Sequence, residues 1–84
     1  MSKVEVFSKG YCPFCHRAKA LLAAKGVDFI EYPIDQKPEL RDVMITRANG
    51  GHTVPQIFIN DEHIGGCDDL MALEIDNKLD PLLA

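Results

Sequence analysis

The chain has 84 residues, 46% of them apolar, which is one small domain with enough material for a single core, so folding need not rest on disulfides or a metal. Its net charge of −4 comes with no basic block, and that sets nucleic acid aside as a partner. The longest apolar run, residues 20–24, is far from the roughly 20 residues a bilayer span needs, and the opening Met1-Ser2-Lys3-Val4-Glu5 is not a signal peptide, so no membrane association and a cytoplasmic location are expected.

Val4 and Val6 alternate with their neighbours over residues 3–8 and predict a strand. Residues 13–25 are helical in pattern, with Cys15, Ala18 and Leu22 on one stripe and Leu21 beside it. Pro13 suits the first turn, where its missing N–H costs nothing, and Gly26 suits the C-terminal cap. Residues 29–34 predict a second strand. Residues 38–48 predict a second helix, apolar at Leu40, Val43 and Met44 and ended by Asn49-Gly50-Gly51. Residues 56–59 read as a buried strand, and Asn60-Asp61 as a tight turn into a short strand at 62–64. After Gly65-Gly66, residues 68–79 predict a third helix with Asp68 at its start. The order β-α-β-α-β-β-α predicts a single α/β domain over residues 1–84. Its first β-α-β unit should be parallel and right-handed, its last two strands an antiparallel hairpin, and the whole a four-stranded mixed sheet with helices on both faces.

Cys12-Pro13-Phe14-Cys15 falls where the first strand gives way to the first helix. Residues three apart on a helix are neighbours, with Cβ atoms about 5–6 Å apart, so two thiols there can open and close a bond with little backbone movement. Three cysteines is an odd count that argues against a disulfide scaffold. A CxxC at this point of such a pattern reads as a thioredoxin-like redox motif. Free N–H groups and the dipole of the helix start favour the thiolate of Cys12, and Lys9 adds positive charge, so Cys12 is the expected nucleophile. Cys15 lies on the apolar stripe and suits a shielded resolving thiol. The competing reading, half of a zinc site, needs a second tight ligand pair. Cys67, His16, His52 and His63 form none, so no metal is expected.

With Lys9, Cys12-Pro13-Phe14-Cys15, Thr53-Val54-Pro55 and Gly65-Gly66-Cys67-Asp68-Asp69 in this order and spacing, the chain resembles the glutaredoxins over nearly its full length, close to their small bacterial dithiol members. Phe14 stands where many relatives carry Tyr. The resemblance implies a thioredoxin-like fold and a glutathione-dependent thiol–disulfide oxidoreductase that uses glutathione as co-substrate, with no bound cofactor. It implies a cis Val54-Pro55 bond that exposes the Val54 backbone to pair with the substrate like an added strand. Asp68 and Asp69 would open a helix whose N–H groups take the γ-glutamyl carboxylate, with an Asp side chain meeting the amine. Lys9 would meet the glycyl carboxylate, with Arg47 as a possible helper or a solvated helix-end charge. Phe14 would wall the pocket, and Tyr11 would wall it or pack into the core; Thr53 would line the glutathione site, the alternative being that it only closes a turn, and Gly66 and Cys67 would contribute backbone. His16, His52 and His63 read as surface or loop residues. Expected partners are glutathione and disulfide-containing or glutathionylated proteins, ribonucleotide reductase being one family candidate, and the expected state is a monomer. The rival readings are a thioredoxin-like donor reduced by a flavoenzyme, and an iron–sulfur carrier, against which Pro13 counts.

Overall fold

The computed structural model describes residues 2–84. In chain order it has β1 (Val4–Ser8), α1 (Pro13–Ala24), β2 (Ile30–Pro33), α2 (Glu39–Arg47), β3 (Gln56–Ile59), β4 (Glu62–Gly65), α3 (Cys67–Ile75) and α4 (Leu79–Leu83). The sheet order is β2-β1-β3-β4. β1 pairs parallel with β2 and antiparallel with β3, and β3 pairs antiparallel with β4. β1 and β3 are central and buried along their whole length. The β3–β4 turn has Asn60 and Asp61 both at positive φ, 52° and 67°, as a two-residue hairpin turn demands.

Alternation along the central strands sends side chains to two cores. Val4, Val6, Ile57 and Ile59 pack with Ala18 and Leu22 of α1, Cys67 and Leu70 of α3, and Leu79 of α4. Phe7 and Phe58 point the other way, to Ile34 and to Met44 and Ala48 of the α2 region. Helices therefore cover both faces, α2 alone on one of them.

The third helix is shorter than the periodicity predicts. It stops at Ile75. Asn77 turns left-handed at φ 57°, its N–H bonds the Glu74 carbonyl at 3.1 Å, and the Lys78 N–H bonds that of Leu73 at 2.8 Å. This paired closure satisfies the last carbonyls, and α4 starts afresh two residues on. The same closure ends α1 at Gly26 (φ 72°) and α2 at Asn49 (φ 54°).

Glu5, between the two valines of β1, faces the α2 side. Its carboxylate is 3% exposed and accepts both Arg47 guanidinium nitrogens at 2.9 and 3.0 Å and the Tyr32 hydroxyl at 2.9 Å. The Arg47 guanidinium lies 4.2 Å from the Phe58 ring centre. Arg47's hydrogen bonds hold the Glu5 carboxyl below its ordinary value, against the opposing effect of burial. Arg47 is thus neither a solvated helix-end charge nor free for a substrate carboxylate, because it is the partner of a buried acid.

Candidate active site

Cys12 is the N-cap of α1, with extended backbone (φ −139°, ψ 101°), and its Sγ accepts the Cys15 N–H at 3.1 Å. The side chain that would react is also the side chain that closes the helix start. Cys12 is 8% exposed and Cys15 wholly buried, and both are free thiols. Burial, followed by the hydrogen bond with Cys12, pushes the Cys15 thiol up to about 12, against the smaller opposing effects of the Lys9 backbone and Lys19. One sulfur at the rim and one inward, protonated sulfur beneath it is the arrangement the apolar stripe predicts.

The segment before Cys12 is tied at one residue, through the peptide groups on either side of it. The Gly10 N–H donates to Asp35 Oδ2 at 3.0 Å, and the Gly10 carbonyl lies 3.2 Å from His16 Nε2. Lys9 and Tyr11 flank this tie with their side chains in solvent.

A cleft of about 490 Å³ opens beside the thiols. Phe14 of α1 forms one wall, Thr53, Val54 and Pro55 a second, and Gly66, Cys67, Asp68 and Asp69 at the start of α3 a third. The Val54–Pro55 bond is cis, and the Cys12 thiol faces the Val54 carbonyl at 3.8 Å. Eight of the residues the sequence singles out thus converge on one cleft, with the cysteine pair at its edge; Lys9 and Tyr11 are not part of its lining.

The third wall is built around a cap. Gly66 is the N-cap of α3, and Asp69 Oδ2 accepts its N–H at 2.9 Å. Gly65 sits at φ 117°, where a Cβ would fall 2.3 Å from Asp69 Oδ2, so only glycine fits. Both acids are exposed, but Asp69 is committed to closing the helix, whereas Asp68, one residue earlier, spends its carboxylate on no such bond. The first α-helical bond of this turn runs from Leu70 to Gly66, which leaves earlier N–H groups without a helical carbonyl. Cys67 is 4% exposed, and burial raises its thiol above the ordinary value, as befits an inert thiol.

Three further residues line the cleft: Gln56, which the sequence reading gives no site role, Gly65, which it takes only as part of the motif before the third helix, and His63, which it takes as a surface or loop residue. Gln56 had a usable signal, as the lone polar side chain in a strand apolar on both faces. His63 had one as well, because the Asn60-Asp61 turn sets it opposite Phe58, on the face of the hairpin that Gln56 shares. Among the described residues, no group of three or more His, Cys, Asp or Glu side chains is arranged to hold a metal ion.

The glutaredoxin family profile matches residues 4–64. The chain is 59% identical over 83 residues to glutaredoxin 3 of Escherichia coli strain K12, covering 99% of both chains. It is 54% identical over 84 residues to a glutaredoxin of Pseudomonas aeruginosa, covering 100% of this chain and 99% of that one. The crystal structure of a buckwheat glutaredoxin–glutathione complex superposes with a TM-score of 0.88 at 36% identity, covering 98% of this chain and 76% of the other. With its cysteine pair, its cleft and these likenesses, the chain belongs to the glutaredoxin family.

Proposed function

We propose that this protein is a dithiol glutaredoxin of the cytoplasm, acting as a monomer without bound cofactor, that reduces protein disulfides and glutathione mixed disulfides at the expense of glutathione. The observation that carries this reading is the pairing of an N-capping Cys12 with a buried Cys15 beside a cleft walled by the Val54 backbone and a helix start.

The Cys12 thiolate attacks a substrate disulfide, one S–S bond breaks as another forms, and the departing sulfur leaves as a thiolate that takes up a proton. With a protein disulfide, Cys15 then attacks Cys12 and releases the substrate as a dithiol. Two glutathiones reduce the Cys12–Cys15 bond and leave as glutathione disulfide. With a glutathionylated substrate, Cys12 takes the glutathione, and a second glutathione removes it as the disulfide.

The cleft offers matching chemistry at three points. The Val54 backbone suits the cysteinyl segment of glutathione as an added strand would. The free N–H groups at the start of α3 suit the γ-glutamyl carboxylate. Asp68, unlike Asp69, has a carboxylate not spent on the cap and suits the amine. Lys9 reaches from outside the cleft toward the glycyl carboxylate. Thr53, Pro55, Gly66 and Cys67 shape the floor, and Tyr11 and Phe14 present aromatic surface to a protein substrate, of which ribonucleotide reductase is one candidate.

The test is NADPH oxidation coupled through glutathione and glutathione reductase, with a small glutathione mixed disulfide as substrate. Cys12→Ser should be inactive. Cys15→Ser should keep activity on the mixed disulfide and lose it on protein disulfides that need resolution. Equal loss in the two variants would contradict these roles, and reduction by a flavoenzyme without glutathione would favour a thioredoxin-like donor.

A further inference from the structure

We propose that His63 and Gln56 form a positioning pair that holds the Thr53–Val54 backbone in place for glutathione, an inference that rests on the function proposed above. Gln56 opens β3 with its amide buried, at 5% exposure. Its Nε2 donates to the Thr53 carbonyl at 3.0 Å and approaches Thr53 Oγ1 at 3.4 Å, while its Oε1 lies 2.6 Å from His63 Nε2.

The direction of every bond in this chain follows from donor and acceptor chemistry. A carbonyl oxygen cannot donate, so the amide nitrogen must be the atom that faces Thr53. Oε1 then faces His63 and can only accept, so His63 Nε2 carries a proton. The imidazole is held by stacking on Phe58, with ring centres 5.0 Å apart and planes at 30°.

The segment this pair secures has few other ties. Among the described residues, residues 52–55 make no backbone–backbone hydrogen bond outside the sheet. A Cβ on Gly51 would fall 3.2 Å from Gln56 Nε2 and 3.1 Å from Ala48 Cβ, so the chain closes down onto the amide. Gln56 is the peg around which the loop turns, and His63 fixes which way the peg points. Thr53 is one peptide from Val54, whose carbonyl faces the Cys12 sulfur at 3.8 Å. Freeing the amide to rotate would loosen the edge on which a peptide substrate pairs, without touching either thiol.

The test uses protein oxidised to the Cys12–Cys15 disulfide and follows its reduction in a single turnover by acid quench and alkylation. Glutathione is compared with 2-mercaptoethanol, a monothiol with no peptide to pair. His63→Leu removes the N–H and keeps an apolar side chain. His63→Gln restores an N–H at about the same reach. We expect His63→Leu to slow reduction by glutathione about threefold to tenfold, the effect of one net hydrogen bond, with 2-mercaptoethanol changed less than about twofold. His63→Gln should recover most of the glutathione rate. Gln56→Met, lacking both ends of the relay, should behave like His63→Leu. The pair's role is overturned if His63→Leu and His63→Gln fall equally, if the two reductants slow together, or if neither rate changes. A wild-type protein that glutathione reduces no faster than 2-mercaptoethanol does would overturn the glutathione reading itself.

Discussion

Two sulfurs three residues apart in one sequence motif have different environments, and the difference makes a division of labour measurable. Cys15 is pushed up to about 12, chiefly by burial, from an ordinary value of 9.0. Between those values the folded chain keeps a proton that the unfolded chain has lost, so stability falls as pH rises. The contribution is fully present below about pH 9 and is lost through about pH 12. Urea melts of the reduced protein from pH 8 upward should therefore show a steeper alkaline decline for wild type than for Cys15→Ser; parallel declines would mean the burial has no such effect. Much of this was legible in sequence, because a CxxC after a strand is local chemistry and the apolar stripe already turns Cys15 inward. Tyr11 was not legible. Its place beside the motif suggests a pocket wall, whereas the tie at Gly10 leaves its ring in solvent.

At the scale of the element, α3 uses its two acidic residues differently. Asp69 caps, and Asp68 faces water beside the cleft. Asp69→Ala should cost about 1 kcal/mol of stability, a few degrees in Tm for a domain of this size. Asp68→Ala should leave Tm nearly unchanged and lower the glutathione-dependent rate about tenfold, as the loss of a contact to a charged group predicts. Lys9→Ala should weaken glutathione use only about twofold to fivefold, and less in high salt, since an exposed pair is worth little. Thermal melts and coupled-assay rates on the three variants decide this, and a matching loss of activity in Asp68→Ala and Asp69→Ala would merge the two roles. An Asp at a helix start announces a cap in sequence, yet two in a row leave open which one does the capping; the bond from the Gly66 N–H to Asp69 settles that in space. The early end of the helix was hidden for a similar reason, because apolar spacing continues through Leu79 while Asn77 has already turned left-handed.

At the scale of the whole molecule, the Glu5–Arg47 pair joins the central strand to the helix that alone covers its face of the sheet. Arg47→Ala would strand a buried carboxylate and should cost about 3 kcal/mol, the low end for breaking a buried pair because Arg47 is partly open to water. Tm should fall by more than about 10 °C, and a fall of only a degree or two would show the pair to be ornamental. The Glu5 carboxyl is held below its ordinary 4.5, so its contribution is present above that pH and is lost as pH falls through the folded value. Glu5→Gln should flatten the acid limb of the stability curve. Alternation in β1 shows that Glu5 points away from the two valines. What meets it there depends on where the crossover lays α2, a long-range outcome that no local pattern encodes. The pairing of His63 with Gln56 is different in kind, a local consequence of the Asn60-Asp61 hairpin, in which only the irregularity between Ile57 and Phe58 goes beyond what the turn dictates.

The Cys12 sulfur also closes the start of α1, and this couples electron transfer to the cohesion of the fold. Reduction supplies the helix with an electron-rich acceptor, and disulfide formation weakens it. In a closed thermodynamic cycle, whatever the reduced fold gains in this way over the oxidised one must reappear as a higher reduction potential than that of the same dithiol in an unfolded chain, with about 1.4 kcal/mol corresponding to about 30 mV. The difference between two melting curves, oxidised and reduced, is therefore a reading of the protein's voltage.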